Sequence, residues 1–350
     1  MTNKYNEVIS YINKCIDESQ IPGCDIAILK GDSSAHFSLG NRQIKPTIIP
    51  NTKDTIWDLA SLTKVVSTTT CILKMYENNE IKLTTRVSDI LEKFPLKDIT
   101  IHHLLTHTSG LHPDIVGYKN MTSQEMIESL WHLDYYYLIG SKVVYSDVNF
   151  ILLGLIIEKF HHSIPEYINE ICFKPLNMNT TMFKPDEAHA KLCASYEDIP
   201  NRGGIIKGVV HDGKCYKLGG VTGHAGLFST LNDLEIFTRM ILNDGSYNGI
   251  TILKKSTIDL LKKCQTKNLD LSRTYGWFFS EPSSSIGNHY SDTTLFHTGF
   301  SGPSILIDFK NKLIVIILTN RVHPSRDAIK FLESRSHIHT LIYECEHLEN

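Results

Sequence analysis

Strand-like sequence lies at the two ends of this chain of 350 residues, with a long helical stretch between. Near the N-terminus, "CDIAILKGD" and "SAHFSLGNR" read as a strand pair joined through a Gly-Asp-Ser-Ser turn. Near the C-terminus, "TLFHTG", "PSILIDFK" and "KLIVIILTN" read as three more strands. Asp308 to Lys312 joins the last two, with Asn-Lys in place of the stronger Asn-Gly. Strands must pair to satisfy their backbone groups and cover their apolar faces. The two sets therefore have to find each other, which predicts one sheet built from both termini.

Between them the apolar spacing is helical. Val8, Ile9, Tyr11, Ile12 and Ile16 predict a first helix, stopped by Pro22-Gly23. Ser61 opens a helix running to about Asn78, and "DITIHHLLTHTSGL" begins another that ends at Gly110. Residues 122–133, 147–160 and 164–173 also read as helices, and 184–220 as loops. "LNDLEIFTRMILNDG" is a helix capped by Thr230 or Asn232 and ended by Gly245, and a last helix spans roughly Ser325 to Cys345. The expected fold is α/β in the α+β sense: an antiparallel sheet flanked by helices, with an inserted all-helical domain. The expected division is an α/β unit of residues 1–75 and 218–350, a mostly helical insert over 76–217, and a cleft between them.

Composition narrows the function. The net charge is −3, which gives no electrostatic reason to expect nucleic acid or an anionic membrane surface as partner. The longest apolar run, "FILLGLII", is far short of the roughly 20 residues that span a bilayer. The first residues are charged throughout and lack the apolar core, about 7–15 residues long, of a signal peptide. A cytoplasmic location with reduced thiols is expected, although a trimmed secreted form would read the same. The eight cysteines are scattered without a Cys-x-x-Cys pair, so a structural zinc site is not expected. The pairs His102-His103 and His161-His162 and the set His337-x-His339 lack a third ligand, so no metal is assigned, nor any cofactor or obligatory protein partner. Lys254-Lys255 and Lys262-Lys263 read as a solvated helix face.

The chemistry lies in three short segments. In "DLASLTKVVSTTT", Ser61 and Lys64 are at i and i+3, on one helical face. A serine hydroxyl needs a base, and a lysine serves as one only when burial or nearby positive charge keeps it neutral. The helix N-terminus would also aim the Ser61 N–H at a reacting carbonyl. Taken alone, Ser-x-x-Lys is common, and the pair reads first as a serine cap followed by a solvated lysine. In "KVVYSDVNF", Tyr145 is either a half-buried aromatic with a wet hydroxyl or a phenol that relays a proton with Lys64. In "LFHTGFSGPS", His297-Thr298-Gly299 ends a predicted edge strand. Gly299 would admit a substrate backbone, the Phe300 N–H would complete an oxyanion hole, and the alternative reading of His297 is an exposed strand residue.

Ser61-x-x-Lys64, Tyr145-Ser146-Asp147 and His297-Thr298-Gly299 follow the order of the three motifs of the serine β-lactamase and penicillin-binding protein superfamily. The chain resembles most closely the class C β-lactamases and related D,D-peptidases, D-aminopeptidases and esterases. "HHLLTHTSGL" (102–111), "LGGVTGHAGLFSTLNDLEIF" (218–237) and "HTGFSGPSILIDFKNKLIVIILTNRVHP" (297–324) extend the likeness to nearly the whole chain, from about residue 5 to 345. The resemblance implies a site in the cleft and acyl-enzyme chemistry. Ser61 would be the nucleophile, Lys64 the general base and Tyr145 its partner. Ser61 and Phe300 would supply the oxyanion N–H groups, and His297 would orient substrate.

Two departures bear on substrate. Penicillin-recognising members usually carry a lysine where this chain has His297, which is only partly charged near neutral pH. Class C enzymes have asparagine where this chain has Asp147, and an ionised aspartate cannot donate a hydrogen bond to a substrate carbonyl. Both point away from β-lactam hydrolysis and toward a cationic amine, a peptide or a neutral ester. His224 in "TGHAG" borders the cleft or is a loop histidine, Arg321 binds a substrate carboxylate or forms a surface ion pair, and His107 reads as scaffold. The function expected is a serine hydrolase cleaving an amide of a cell-wall-type peptide, as a D,D-peptidase, aminopeptidase or muropeptide amidase. The alternatives are an esterase on small acyl esters, a β-lactamase, or a non-catalytic penicillin- or peptide-binding protein.

Overall fold

The computed structural model describes residues 4–280, 286 and 291–346. Its central sheet contains β1 (Gly23–Lys30), β2 (Ser33–Gln43), β3 (Ile49–Pro50), β4 (Phe278–Phe279), β5 (Thr294–Thr298), β6 (Ser304–Asp308) and β7 (Leu313–Thr319). The spatial order is β4-β5-β6-β7-β1-β2-β3. N-terminal β1 and C-terminal β7 pair antiparallel, with Ile26 opposite Ile317. Strands from the two ends of the chain thus meet at the middle of the sheet.

Both faces of β7 are covered, and its period of two sorts the side chains. Ile314, Ile316 and Leu318 enter one apolar cluster, and Leu313, Val315 and Ile317 the other. The second cluster is roofed by α1 (Asn6–Asp17), through Val8, Ile12 and Cys15. The first takes in α2 (Thr69–Glu77), α3 (Ile101–Thr106), α4 (Asp147–Phe160) and α5 (Leu231–Leu242). The C-terminal helix, α6 (Phe331–Cys345), joins α1 through Phe331, Ile338, Leu341 and Ile342. Burying each such side chain contributes about 1.5–3 kcal/mol. Helix α4 is apolar on every side and buried from Val148 to Gly154, so it forms the axis around which its neighbours pack.

Several elements differ from expectation. The helix opened near Ser61 is three pieces: a 3₁₀ turn Ala60–Leu62, a π turn Lys64–Thr68, then α2. Helix α3 ends at His107, which takes the left-handed conformation with φ 58°, rather than at Gly110. The segment 184–220 holds short helices Glu187–Leu192 and Gly213–Lys217, capped by Asp186 and Asp212, and a hairpin of Ser195–Ile199 with Gly204–Lys207. These are too short for a periodic signal. The last helix begins at Phe331, not Ser325, because Arg321 Nη1 takes the carbonyls of Arg326 and Ala328. Strand β5 is not the sheet edge, since β4 lies outside it. The eight cysteines are all free. Among the described residues no helix is long and apolar enough to cross a membrane.

Candidate active site

A small three-stranded sheet delivers Ser61. Trp57–Asp58 pairs with Leu227–Ser229, which also pairs with Met182–Phe183. The chain then bends at Ala60, a non-glycine residue at φ 48° whose N–H donates to Asp58 Oδ1 at 2.8 Å. Ser61 follows this bend, and the π turn brings Lys64 Nζ to 3.0 Å from Ser61 Oγ. Lys64 is fully buried. Its ammonium also donates to Asp147 Oδ1 at 2.8 Å and to the His224 carbonyl at 3.2 Å, so all three of its donors have acceptors.

The His224 carbonyl is there because the 218–226 loop presses directly on α4. A Cβ on Gly223 would lie 2.0 Å from the Phe150 carbonyl, and one on Gly154 would lie 2.8 Å from the Gly223 nitrogen. The Thr68 hydroxyl donates to the Gly223 carbonyl at 2.6 Å and pins the loop from the other side.

Below Lys64 the charges alternate. Asp147 Oδ2 lies 3.1 Å from Lys214 Nζ, which also meets Asp114 at 3.1 Å and Asp212 at 3.6 Å. Asp212 Oδ1 meets His224 Nε2 at 3.0 Å, and His224 Nδ1 meets the Thr222 hydroxyl at 2.8 Å. Burial alone would pull the Lys64 ammonium below its ordinary pKa, but Asp147 and Tyr145 outweigh it and the net shift is upward. Burial pushes Asp147 up, yet Lys64, His224 and Lys214 bring it down to about 2. Lys214 is likewise raised against burial by Asp212, Asp147 and Asp114. Lys64 is therefore an ammonium in the resting site, not the neutral amine that the sequence reading required of a base. Asp212 and Lys214, in a segment read as loop, were missed; the alternating charges of "HDGK" are the one local signal.

Tyr145 is 37% exposed, and its ring lies 4.8 Å from Lys64 Nζ and 4.8 Å from the His107 ring. His107 accepts the Ser146 N–H at 3.1 Å, so it sets the register in which Tyr145 and Asp147 reach the site. His297 is not exposed. It is 1% accessible, its Nδ1 lies 3.0 Å from the Thr298 carbonyl, and its Nε2 has no hydrogen-bond partner among the described residues. Burial, Arg273 and Lys64 all push its pKa well below the ordinary histidine value, so it is neutral. The space above Gly299 is filled by the chain itself: a Cβ there would lie 2.7 Å from the Leu59 carbonyl and 3.2 Å from Ala60 Cβ. Gly299 thus lets the end of β5 close on the Ser61 turn, and its backbone also borders the cavity. The N–H of Phe300 has no acceptor among the described residues.

Ser61, Tyr145, Asp147, Thr298, Gly299 and Phe300 line one cavity of about 1160 Å³, with Tyr118, Tyr216 and Phe278 adding aromatic wall. A profile of the Beta-lactamase family matches residues 8–335. The chain belongs to the β-lactamase family. It is 31% identical to an N-acetylmuramyl-L-alanine amidase of Bacillus subtilis over 77% of this chain and 68% of that protein. It is 29% identical to a D-alanyl-D-alanine carboxypeptidase, so named provisionally, of Salmonella typhi, over 78% of this chain and 71% of that one. Its fold matches a β-lactamase/D-alanine carboxypeptidase from Pseudomonas syringae with TM-score 0.79 at 19% identity, covering 99% of each chain. As a β-lactamase family member the protein is a serine hydrolase.

Of the other residues expected to touch substrate, His224 turns its ring away from the cavity of this β-lactamase-family site, whereas Arg321 is part of the cavity wall. The His224 ring is buried in the polar network and offers the cavity nothing; only its carbonyl acts, on Lys64. Arg321 is buried at the cavity wall and donates to the Phe300 carbonyl at 2.9 Å, so it is not a surface ion pair. Asp147, Asp212 and His224 bring ligand atoms within 4.8 Å of one another. The ammonium groups of Lys64 and Lys214 already lie against both carboxylates, and a divalent cation there would face their repulsion.

Proposed function

We propose that Ser61 attacks an amide carbonyl of a peptidoglycan-type peptide and forms an acyl-enzyme that water then releases. The observation that carries this reading is the 3.0 Å contact between a buried Lys64 and the Oγ of Ser61, which lines the cavity. An ammonium cannot take the serine proton. In this reading Tyr145 reacts as a phenolate, its own proton already given up to solvent: the phenolate oxygen takes the serine proton and returns it to the leaving group, and the Lys64 charge, 4.8 Å from the Tyr145 ring, stabilises that oxygen. The N–H groups of Ser61 and Phe300 receive the developing oxyanion. Asp147 fixes Lys64.

Substrate choice turns on His297. A carboxypeptidase or β-lactamase substrate presents a carboxylate, and a neutral histidine offers it no charge. That favours an internal amide, as the name of the Bacillus relative describes, over a terminal D-alanine. A neutral ester is the second reading, favoured by the aromatic wall of the cavity. The test is mass spectrometry of a muropeptide digest incubated with wild type and with Ser61→Ala. Release of peptide from the muramic lactyl group by wild type alone is the expected result. Loss of a terminal D-alanine would reverse the preference between the two relatives. No change in any muropeptide, with short-chain esters hydrolysed, would replace the peptide reading with the esterase one.

A further inference from the structure

Asp58 is fully buried three residues before Ser61, and no step above uses it. Its two carboxylate oxygens face two different segments. Oδ1 accepts the N–H of Ala60 at 2.8 Å, which holds the left-handed bend that presents Ser61. Oδ2 accepts the N–H of His211 at 2.7 Å. The His211 ring lies parallel to the Phe300 ring, at 5.8 Å between centroids and 14° between planes. Glu197 holds the far side of that imidazole at 2.8 Å from Nε2. Asp58 itself is fixed, since its N–H donates to the Tyr196 hydroxyl at 2.7 Å.

We propose that Asp58 is the positioning residue of the oxyanion hole, one carboxylate oxygen setting the Ser61 side and the other, through His211, setting the Phe300 side. The two N–H donors come from segments more than two hundred residues apart in sequence, and the hole works only if their separation is held. Asp58 is a small rigid group placed to hold it. An ionised carboxylate suits the task because both oxygens accept and neither donates. Its asparagine counterpart turns an NH₂ toward one of the two N–H groups and releases that side. Burial raises the Asp58 carboxyl above its ordinary pKa, and the His211 and Ala60 N–H groups act against that rise.

The inference rests on Ser61 being the nucleophile, and the experiment separates the two claims. Wild type, Asp58→Asn and His211→Ala are compared in three measurements: the rate at which a fluorophosphonate labels Ser61, kcat and KM on a p-nitrophenyl ester, and thermal unfolding. Asp58→Asn is expected to lower kcat about 30- to 300-fold, with KM within threefold and labelling slowed by the same factor as kcat. His211→Ala keeps the N–H bonded to Asp58 but removes the ring against Phe300. It is expected to lower kcat and labelling about tenfold, and it decides the matter if Asp58→Asn does not fold. Folded variants that label and turn over within threefold of wild type would overturn the proposal. So would a loss carried by KM. Wild type that does not react at Ser61 would overturn the nucleophile assignment itself, and this inference with it.

Discussion

Lys64 sits between two acidic groups and a second lysine, and its charge state depends on all of them. Lys214 lies 3.1 Å from Asp147 Oδ2 on the side away from Lys64. Replacing it by methionine leaves Asp147, Asp212 and Asp114 with one fewer cation. Breaking such a buried network costs about 3–5 kcal/mol. It also moves a pKa. The Asp147 carboxyl is held at about 2, so its stabilising charge is present above the ordinary carboxylate value and is lost as pH falls through about 2. Without Lys214 that loss begins at higher pH. The expected outcome for Lys214→Met is an acid limb of kcat/KM displaced upward, read from a pH–rate profile. A profile superimposable on wild type would show that Lys214 does not tune the site.

At the scale of the element, two glycines of one loop serve different physical needs. Gly223 has no need of a left-handed backbone, but a Cβ on it would meet the Phe150 carbonyl at 2.0 Å. Gly219 has φ 90° and open space around it. Gly223→Ala must push the loop off α4, carrying the His224 carbonyl away from Lys64, and is expected to destabilise by about 3 kcal/mol or more. Gly219→Ala meets only backbone strain, about 1–2 kcal/mol. Thermal unfolding of the two variants ranks them, and the opposite order would contradict the contact between loop and helix. The same contact explains why the segment was hard to read. A glycine required by a distant backbone looks, in sequence, like any loop glycine.

For the whole molecule, acid sensitivity follows from groups buried in unfavourable states. His107, His297 and His339 are buried with pKa values pushed down, His339 to about 3. The unfolded chain takes up their protons below about pH 6.5 and the folded one does not, so stability falls as pH drops. Asp25 opposes this. Burial raises it to about 6, and between about pH 6 and 4 the folded state holds a proton that the unfolded state releases. Asp58 is raised in the same direction. His102, His103 and His323 are lowered as well, and these six histidines outnumber the raised carboxylates Asp25, Asp58 and Glu158, so stability is expected to fall on balance as pH drops from about 6 to 4. Urea unfolding across that range measures it, and a flat or rising stability would refute the balance.

By itself the sequence determined the pairing of the two chain ends, since no other partner could cover strands as apolar as β1 and β7. It also determined which short segments carry chemistry, because the spacing of Ser61 with Lys64 and of Tyr145 with Asp147 is local and legible. The short helices and hairpin of 184–220 escaped, being too brief for periodicity to register. Only the tertiary structure decided the direction in which the Lys64 and His297 pKa values move, the burial of Arg321 and the contacts made by Lys214 and Asp58. Each of these depends on which groups lie within a few ångströms and on how far water is excluded. Asp147 is 83 residues from Lys64 and His211 is 153 from Asp58, and no local pattern encodes those distances.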